Sequence, residues 1–261
     1  MKSVLVSLVL MALSPAAIAQ FSEIHSKHWL FGLPQGTPDT NDLIIRDAYA
    51  LSNNSETKFA DWVAYRLTPE ETYGTISGNR NFRSDPWLDS DERLEPSDYT
   101  RANARPLQFE RGHLAPLANF KGSANISDTN FLSNIVPQSR DLNNGVWKIL
   151  ESRERTLVLF HQEVWVITGP LYEAFVDELP EADEDHSIPS AFWKIIYIED
   201  GNSVRAAAFI MEQQPTGDLS DQVTDIDEIE QRSGLTFFPL LDGDDLKSDE
   251  DGDWVISPSI E

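Results

Sequence analysis

The chain has 261 residues, no cysteine and a formal net charge of −24. That length suits one large domain with a substantial core and does not demand two. The lack of cysteine excludes disulfides, thiolate metal sites and thiol nucleophiles, and the charge, taken as a sum, argues against a polyanionic partner.

The sum hides a distribution. Residues 80–155 carry 11 basic and 11 acidic side chains, and the remainder carries 9 and 33. The neutral middle allows a locally basic cleft on an acidic body. A solvated acidic surface with no bearing on partners is the plainer alternative.

At the N-terminus, Lys2, the apolar run from Val4 to Leu13 and the small residues Ala17-Ile18-Ala19 form a secretory signal peptide pattern over residues 1–19, with cleavage after Ala19. The run is short for a spanning helix, and no later stretch approaches membrane length. The mature protein is therefore expected to be exported, to periplasm or medium, with no membrane partner. Its main domain is expected over residues 20–241.

Residues 34–41 (PQGTPDTN) read as a loop, and Asp61 to Leu67 (DWVAYRL) as a half-buried strand. Residues 84–98, with two prolines and many acids, read as an exposed loop. Leu142, Val146 and Leu150 recur at helical spacing, which predicts one helix from about Leu142 to Arg155. Val164 to Thr168 is a buried strand ended by Gly169-Pro170. Ala191–Ile198 and Val204–Met211 are strands joined by a hairpin across Glu199-Asp200-Gly201-Asn202. A short helix starts near Thr224–Asp227 and stops at Gly234. Residues 242–261 are strongly acidic. They fail the EF-hand template, since counting from Asp249 puts Trp254 where glycine is required, and a solvated acidic C-terminal tail is expected. Strands and helices are interspersed without βαβ alternation, which favours an α+β fold.

Two stretches carry chemistry. In ERGHLAPLANF (residues 110–120), Gly112 allows a close backbone approach, Arg111 suits a phosphate, and Glu110 is placed to orient a ring nitrogen or hold a metal-bound water. His113, neutral with one nitrogen fixed, can take a proton from water at the other. Read alone, a histidine in a glycine-flanked turn is more often structural. In NNGVWKILESRER, Asn143 and Glu151 lie eight residues apart, about 80° around a helix, so an amide oxygen and a carboxylate can share a face as a sparse Mg²⁺ site. From spacing alone, a helix cap for Asn143 and a surface ion pair of Glu151 with Arg155 are the favoured explanation. His25 and His28 lack a partner pair for zinc, and neither a nucleophile elbow nor a P-loop occurs.

These residues resemble the DNA/RNA non-specific endonucleases of the ββα-metal class, the family of the Serratia extracellular nuclease and mitochondrial endonuclease G. Glu110-Arg111-Gly112-His113 matches the family's Asp-Arg-Gly-His, and Ser133 to Gln138, Leu142-Asn143, Trp147 and Leu150-Glu151 match its metal-binding helix region. Arg80-Asn81-Phe82 and Pro96 to Tyr99 upstream, and Thr168-Gly169-Pro170, Ile195–Tyr197 and Gly234 to Pro239 downstream, follow in the expected order. The likeness runs from about Asp39 to Leu241.

The resemblance implies a mostly antiparallel sheet flanked by helices, with the site on a strand-loop-helix unit. It implies His113 as general base, Asn143 as direct ligand of a hydrated Mg²⁺ that Mn²⁺ can replace, and Glu151 as holder of metal-bound water. Arg80, Arg111 and Arg155 would bind phosphate, with Glu110 in the catalytic group and Asn134 and Gln138 supporting the substrate site. The substrates would be DNA and RNA, single- and double-stranded, without strong sequence preference, cut to 5′-phosphate ends by a monomer or homodimer. Glu110 in place of the usual aspartate puts metal preference and rate in question. A non-catalytic nucleic-acid-binding protein on a decayed nuclease fold, and a phosphodiesterase acting on small nucleotides, are the alternative readings.

Overall fold

The computed structural model describes residues 24–201, 203–242 and 245–258; the expected signal peptide lies outside them. The described chain opens with β1 (Asp42–Ile45), β2 (Ala50–Asn54) and β3 (Phe59–Leu67), followed by a single turn, α1 (Pro69–Thr72). After a long stretch of loops and 3-10 turns come β4 (Glu110–His113) and β5 (Ile135–Gln138), then α2 (Arg140–Asn144) and α3 (Val146–His161). The second half holds β6 (Val164–Leu171), β7 (Ala191–Asp200), β8 (Ser203–Glu212), β9 (Val223–Thr224), α4 (Ile226–Ser233), β10 (Leu246–Ser248) and α5 (Asp253–Ile256).

The main sheet runs β1-β2-β3-β6-β7-β8-β10, with β9 paired to β8. All its pairs are antiparallel except β8–β10. Period-2 alternation sends successive side chains to opposite faces. On β3 and β7, Val63, Tyr65, Phe192 and Ile196 face the core beneath α3, while Trp62, Ala64, Trp193, Ile195 and Tyr197 face a second core closed by α4 and the Phe237-Phe238 segment. The sheet is thus covered on both faces, and its central strands are apolar on both. The smaller β4–β5 ladder stands apart from it and leads directly into α2 and α3.

Several expected boundaries move. β6 continues through Gly169 and Pro170 to Leu171, because its pairing with β3 stops at Thr168 while its pairing with β7 goes on. Beyond Thr168 one side of the strand is free, so a proline without an N–H is tolerated there. The stretch 84–98 is not simply exposed. Asp85, Leu88, Leu94 and Asp98 are buried, and Asp85 meets Arg46 in a buried ion pair and accepts from Ser133 Oγ at 2.6 Å. The acidic C-terminal stretch is not wholly solvated either, since β10 adds an edge strand and α5 buries Trp254 and Val255. Counting acids there predicted solvation; the few apolar residues between them decide where the backbone goes.

The expected helix from Leu142 to Arg155 is two helices broken at Gly145, which has φ −99° and ψ −121°. A β-carbon on Gly145 would collide with the Asp141 carbonyl oxygen, so the break needs glycine. The short helix after Thr224 is α4, capped by Asp225, whose side chain accepts from the Glu228 N–H at 2.6 Å, and ended by Gly234 in the left-handed region.

Candidate active site

β4 and β5 place the site. Glu110 pairs with Gln138, Arg111 with Pro137, Gly112 with Val136 and His113 with Ile135. Strand alternation then puts Arg111 and His113 on one face and Glu110 on the other. Ser139 ends β5 and caps α2 by accepting from the Leu142 N–H at 3.1 Å. This strand–strand–helix run brings Arg80, Arg111, His113, Asn143, Asn144, Lys148, Glu151 and Arg155 to one cleft of about 170 Å³, walled by Pro116, Leu117 and Ala118. Four cations face one acid there, so a basic cleft does exist on the acidic body.

His113 is buried but borders the cleft. Its Nε2 lies 3.2 Å from Asn130 Oδ1. The Asn130 amide is oriented by its own Nδ2, which donates to the Asn79 carbonyl at 2.8 Å. Asn130 therefore offers His113 an acceptor, Nε2 carries the proton, and Nδ1 keeps its lone pair. Phe82 packs against the ring with centroids 5.5 Å apart. Burial lowers the His113 pKa to about 4, against the Asn130 hydrogen bond and assisted by the Arg80 charge, so the ring is neutral at neutral pH.

Glu110 does not reach the His113 ring as the sequence suggested. Its Oε2 accepts from Asn143 Nδ2 and from Asn144 Nδ2, each at 2.7 Å, and its Oε1 accepts from Arg140 Nε at 3.2 Å. Desolvation works to raise its pKa, but these hydrogen bonds hold it below the ordinary value. An acceptor-only carboxylate on Nδ2 leaves Oδ1 as the free end of the Asn143 amide. Glu151 sits on α3, past the Gly145 break, so its approach to Asn143 comes from a turn between two helices and not from one helical face. Surrounding protein raises its pKa to about 7, against the nearby Lys194.

Other residues fall differently. Arg111 donates to the Pro96 carbonyl at 3.0 Å, with its guanidinium 5.0 Å from the Tyr99 ring centroid and 5.3 Å from that of Phe82. Asn134 is fully buried and spends its amide inside the protein: Oδ1 accepts from Ala115 N at 2.8 Å, and Nδ2 donates to Ala115 O and Thr129 O. It pins the loop after His113 and does not face the cleft, which corrects its place among substrate-binding residues. Gln138 is likewise fully buried and packs on Gly112, where a β-carbon would overlap its amide. The close approach that Gly112 permits is thus to Gln138, not to a ligand.

Asn119, Asn130, Asn144 and Lys148 escaped the sequence reading. Lys148 is one turn before Glu151 on α3, so helical spacing carried that signal; the three asparagines carried none. Asp98, Asp183 and Glu184 form a separate acidic cluster that shares no residue with the cleft.

The donor set fits a hard divalent cation. Asn143 and Glu151 line one cleft and offer an amide oxygen and a carboxylate, the sparse oxygen set that Mg²⁺ accepts.

Comparison with known proteins fits this geometry. Residues 31–244 match the DNA/RNA non-specific endonuclease family. A nuclease of Serratia marcescens is 43% identical over 91% of this chain and 90% of its own. Human mitochondrial endonuclease G is 32% identical over 79% of this chain and 72% of its own. The crystal structure of an EndoG/EndoGI complex superposes with a TM-score of 0.70 at 24% identity, covering 82% of this chain and 92% of that one, which supports the fold. The fold is that of the ββα-metal nucleases. The chain belongs to the DNA/RNA non-specific endonuclease family and is a metal-dependent endonuclease, so the reading as a decayed, non-catalytic binding protein is set aside.

Proposed function

We propose that this protein is an exported, Mg²⁺-dependent nuclease that hydrolyses phosphodiester bonds in both DNA and RNA, single- or double-stranded, leaving 5′-phosphate ends. The observation that carries the reading is the His113 tautomer: Asn130 occupies Nε2, and Nδ1 retains a lone pair beside a cleft lined by four cations. His113 Nδ1 takes a proton from the attacking water. Arg80, Arg111, Lys148 and Arg155 bind the phosphate and neutralise charge gathering on its oxygens. Those contacts reach phosphate and not base edges, so they carry no sequence information.

Asn143 would hold the cation through Oδ1, and Glu151 would hold it through water. When bound, the cation supplies Lewis-acid stabilisation of the scissile phosphate and the leaving oxygen. Glu110 would act one step back, because its grip on Asn143 Nδ2 leaves Oδ1 available to a cation. Mn²⁺, with similar ligand preferences, substitutes. Export rests on the signal pattern of residues 1–19; among the described residues no helix is long and apolar enough to cross a membrane.

The test incubates mature protein with supercoiled plasmid and with total RNA, in Mg²⁺ and in EDTA, beside His113→Ala. Wild type should degrade both polymers only with Mg²⁺, and His113→Ala should lose about 10²–10⁴-fold in rate. Undiminished cleavage by His113→Ala would remove His113 as the base, and RNA left intact would restrict the substrate to DNA.

A further inference from the structure

Beneath the cleft lies a charged network that the mechanism above does not use. Glu154 and Lys194 form an ion pair, Oε1 to Nζ 2.6 Å, with neither side chain exposed. Glu154 precedes Arg155 on α3 but points into the core. Tyr65 on β3 donates its hydroxyl to Glu154 Oε2 at 2.8 Å, and Lys194 comes from β7, 4.4 Å from the Trp147 ring centroid. Such a pair is a poor stabilising device, since well-packed apolar residues often do as well. Its placement gives it another use.

Asn119, also fully buried, donates Nδ2 to Glu154 Oε2 at 2.6 Å. An ionised carboxylate only accepts, so the Asn119 amide has one orientation available, with Oδ1 directed the other way. There it accepts from Arg155 Nη1 at 2.7 Å. Arg155 is half-buried and lines the cleft. One of its five N–H donors is spent on Asn119, and the rest of the fork stays open for an anion.

We propose that Asn119, its amide held in one orientation by the buried Glu154–Lys194 pair, is a positioning residue that aims the Arg155 guanidinium at the scissile phosphate. This rests on the reading of Arg155 as a phosphate-binding residue. The chain of contacts ties that guanidinium to the main sheet through Tyr65 and Lys194, so Arg155 meets the phosphate already ordered.

Steady-state kinetics on duplex DNA for wild type, Arg155→Ala, Asn119→Ala and the double variant decides it, with thermal melts to check folding. Asn119→Ala should lower kcat/KM about tenfold, the size expected when a hydrogen bond to a charged group is lost. It should divide that loss between kcat and KM as Arg155→Ala does, and add nothing in the Arg155→Ala background. An equal further loss in that background, or no loss in the wild-type background, overturns the proposal. If Arg155→Ala alone leaves kcat/KM unchanged, the phosphate-binding reading of Arg155 fails, and the proposal with it. Should Asn119→Ala not fold, Glu154→Gln, near-isosteric but able to present a donor to Asn119, is read by the same comparison: a loss seen with Arg155 intact and absent from the Arg155→Ala background supports the proposal, and an equal loss in both overturns it.

Discussion

Glu110 shows how a single side chain can organise its neighbours. Its carboxylate gathers Asn143, Asn144 and Arg140, from both ends of α2, onto the end of β4. Removing it frees the Asn143 amide to rotate. Glu110→Ala should therefore weaken Mn²⁺ binding by roughly 10–100-fold, the range typical for loss of an outer partner of a metal ligand. Titration of the protein by Mn²⁺ electron paramagnetic resonance measures this without turnover, and unchanged affinity would mean that Asn143 is oriented by something else. The motif Glu-Arg-Gly-His was legible in the sequence, and the structure sets His113 from it at the edge of the cleft. Which partner each residue takes was not, because residues 110 and 143 meet only when β4 and α2 are packed together.

At the scale of elements, the turn between α2 and α3 matters most. A continuous helix over Leu142 to Arg155 would have fixed Asn143 and Glu151 by helical phase alone. Gly145 breaks it, so their geometry depends on how two short axes meet. Gly145→Ala forces its new methyl onto the Asp141 carbonyl. The expected cost is about 1–3 kcal/mol, the usual penalty for overpacking, together with weaker cation binding; chemical denaturation and Mn²⁺ titration measure the two. A variant as stable and as tight-binding as wild type would show that α2 can shift freely. The C-terminal segment departs from the solvation its acids predict for a related reason. Its acids dominate the composition, yet Trp254 is 7% exposed and Val255 fully buried. Trp254→Ala should cost about 3–5 kcal/mol, as for other buried tryptophans, whereas a tail free in solvent would lose nothing in a urea melt.

Across the whole molecule, buried histidines link stability to pH. Burial lowers the His28 pKa to about 4, although its Nε2 is 2.8 Å from the Arg46 carbonyl; His113 is lowered to a similar value. Between pH 6.5 and 4 the unfolded chain takes up protons that the folded chain refuses. The stabilisation is complete above 6.5 and is lost as pH falls toward 4, on the order of 3 kcal/mol for His28. Glu151, raised to about 7, works in the opposite sense: its share is present below 4.5 and lost as pH rises toward 7, so it offsets part of the change. Asp61 and Asp98, whose pKa values burial also raises, work in the same sense as Glu151, so the loss on acidification is what the two histidines contribute beyond these acids. Melting curves at pH 7 and pH 4.5 should separate clearly, and His28→Gln, which keeps an N–H for Arg46 but does not titrate, should narrow the gap. Equal melting temperatures across that window would contradict a neutral, buried His28.

The sequence by itself determined the α+β character, the strands from Asp61, Val164, Ala191 and Val204, the existence of α4 and its stop at Gly234, and the motif around His113. Each depends on spacing or on local backbone chemistry, which neighbouring residues carry whatever the rest of the chain does. Only the tertiary structure decided that Gly112 makes room for Gln138, that Asn134 pins a loop, and that Glu110 serves Asn143. It alone revealed Asn119, Asn130, Glu154 and Lys194, whose side-chain partners lie at least 17 residues away. Hydrogen bonding needs atoms within about 3 Å, and no periodicity along the chain records which distant donors and acceptors will be brought that close.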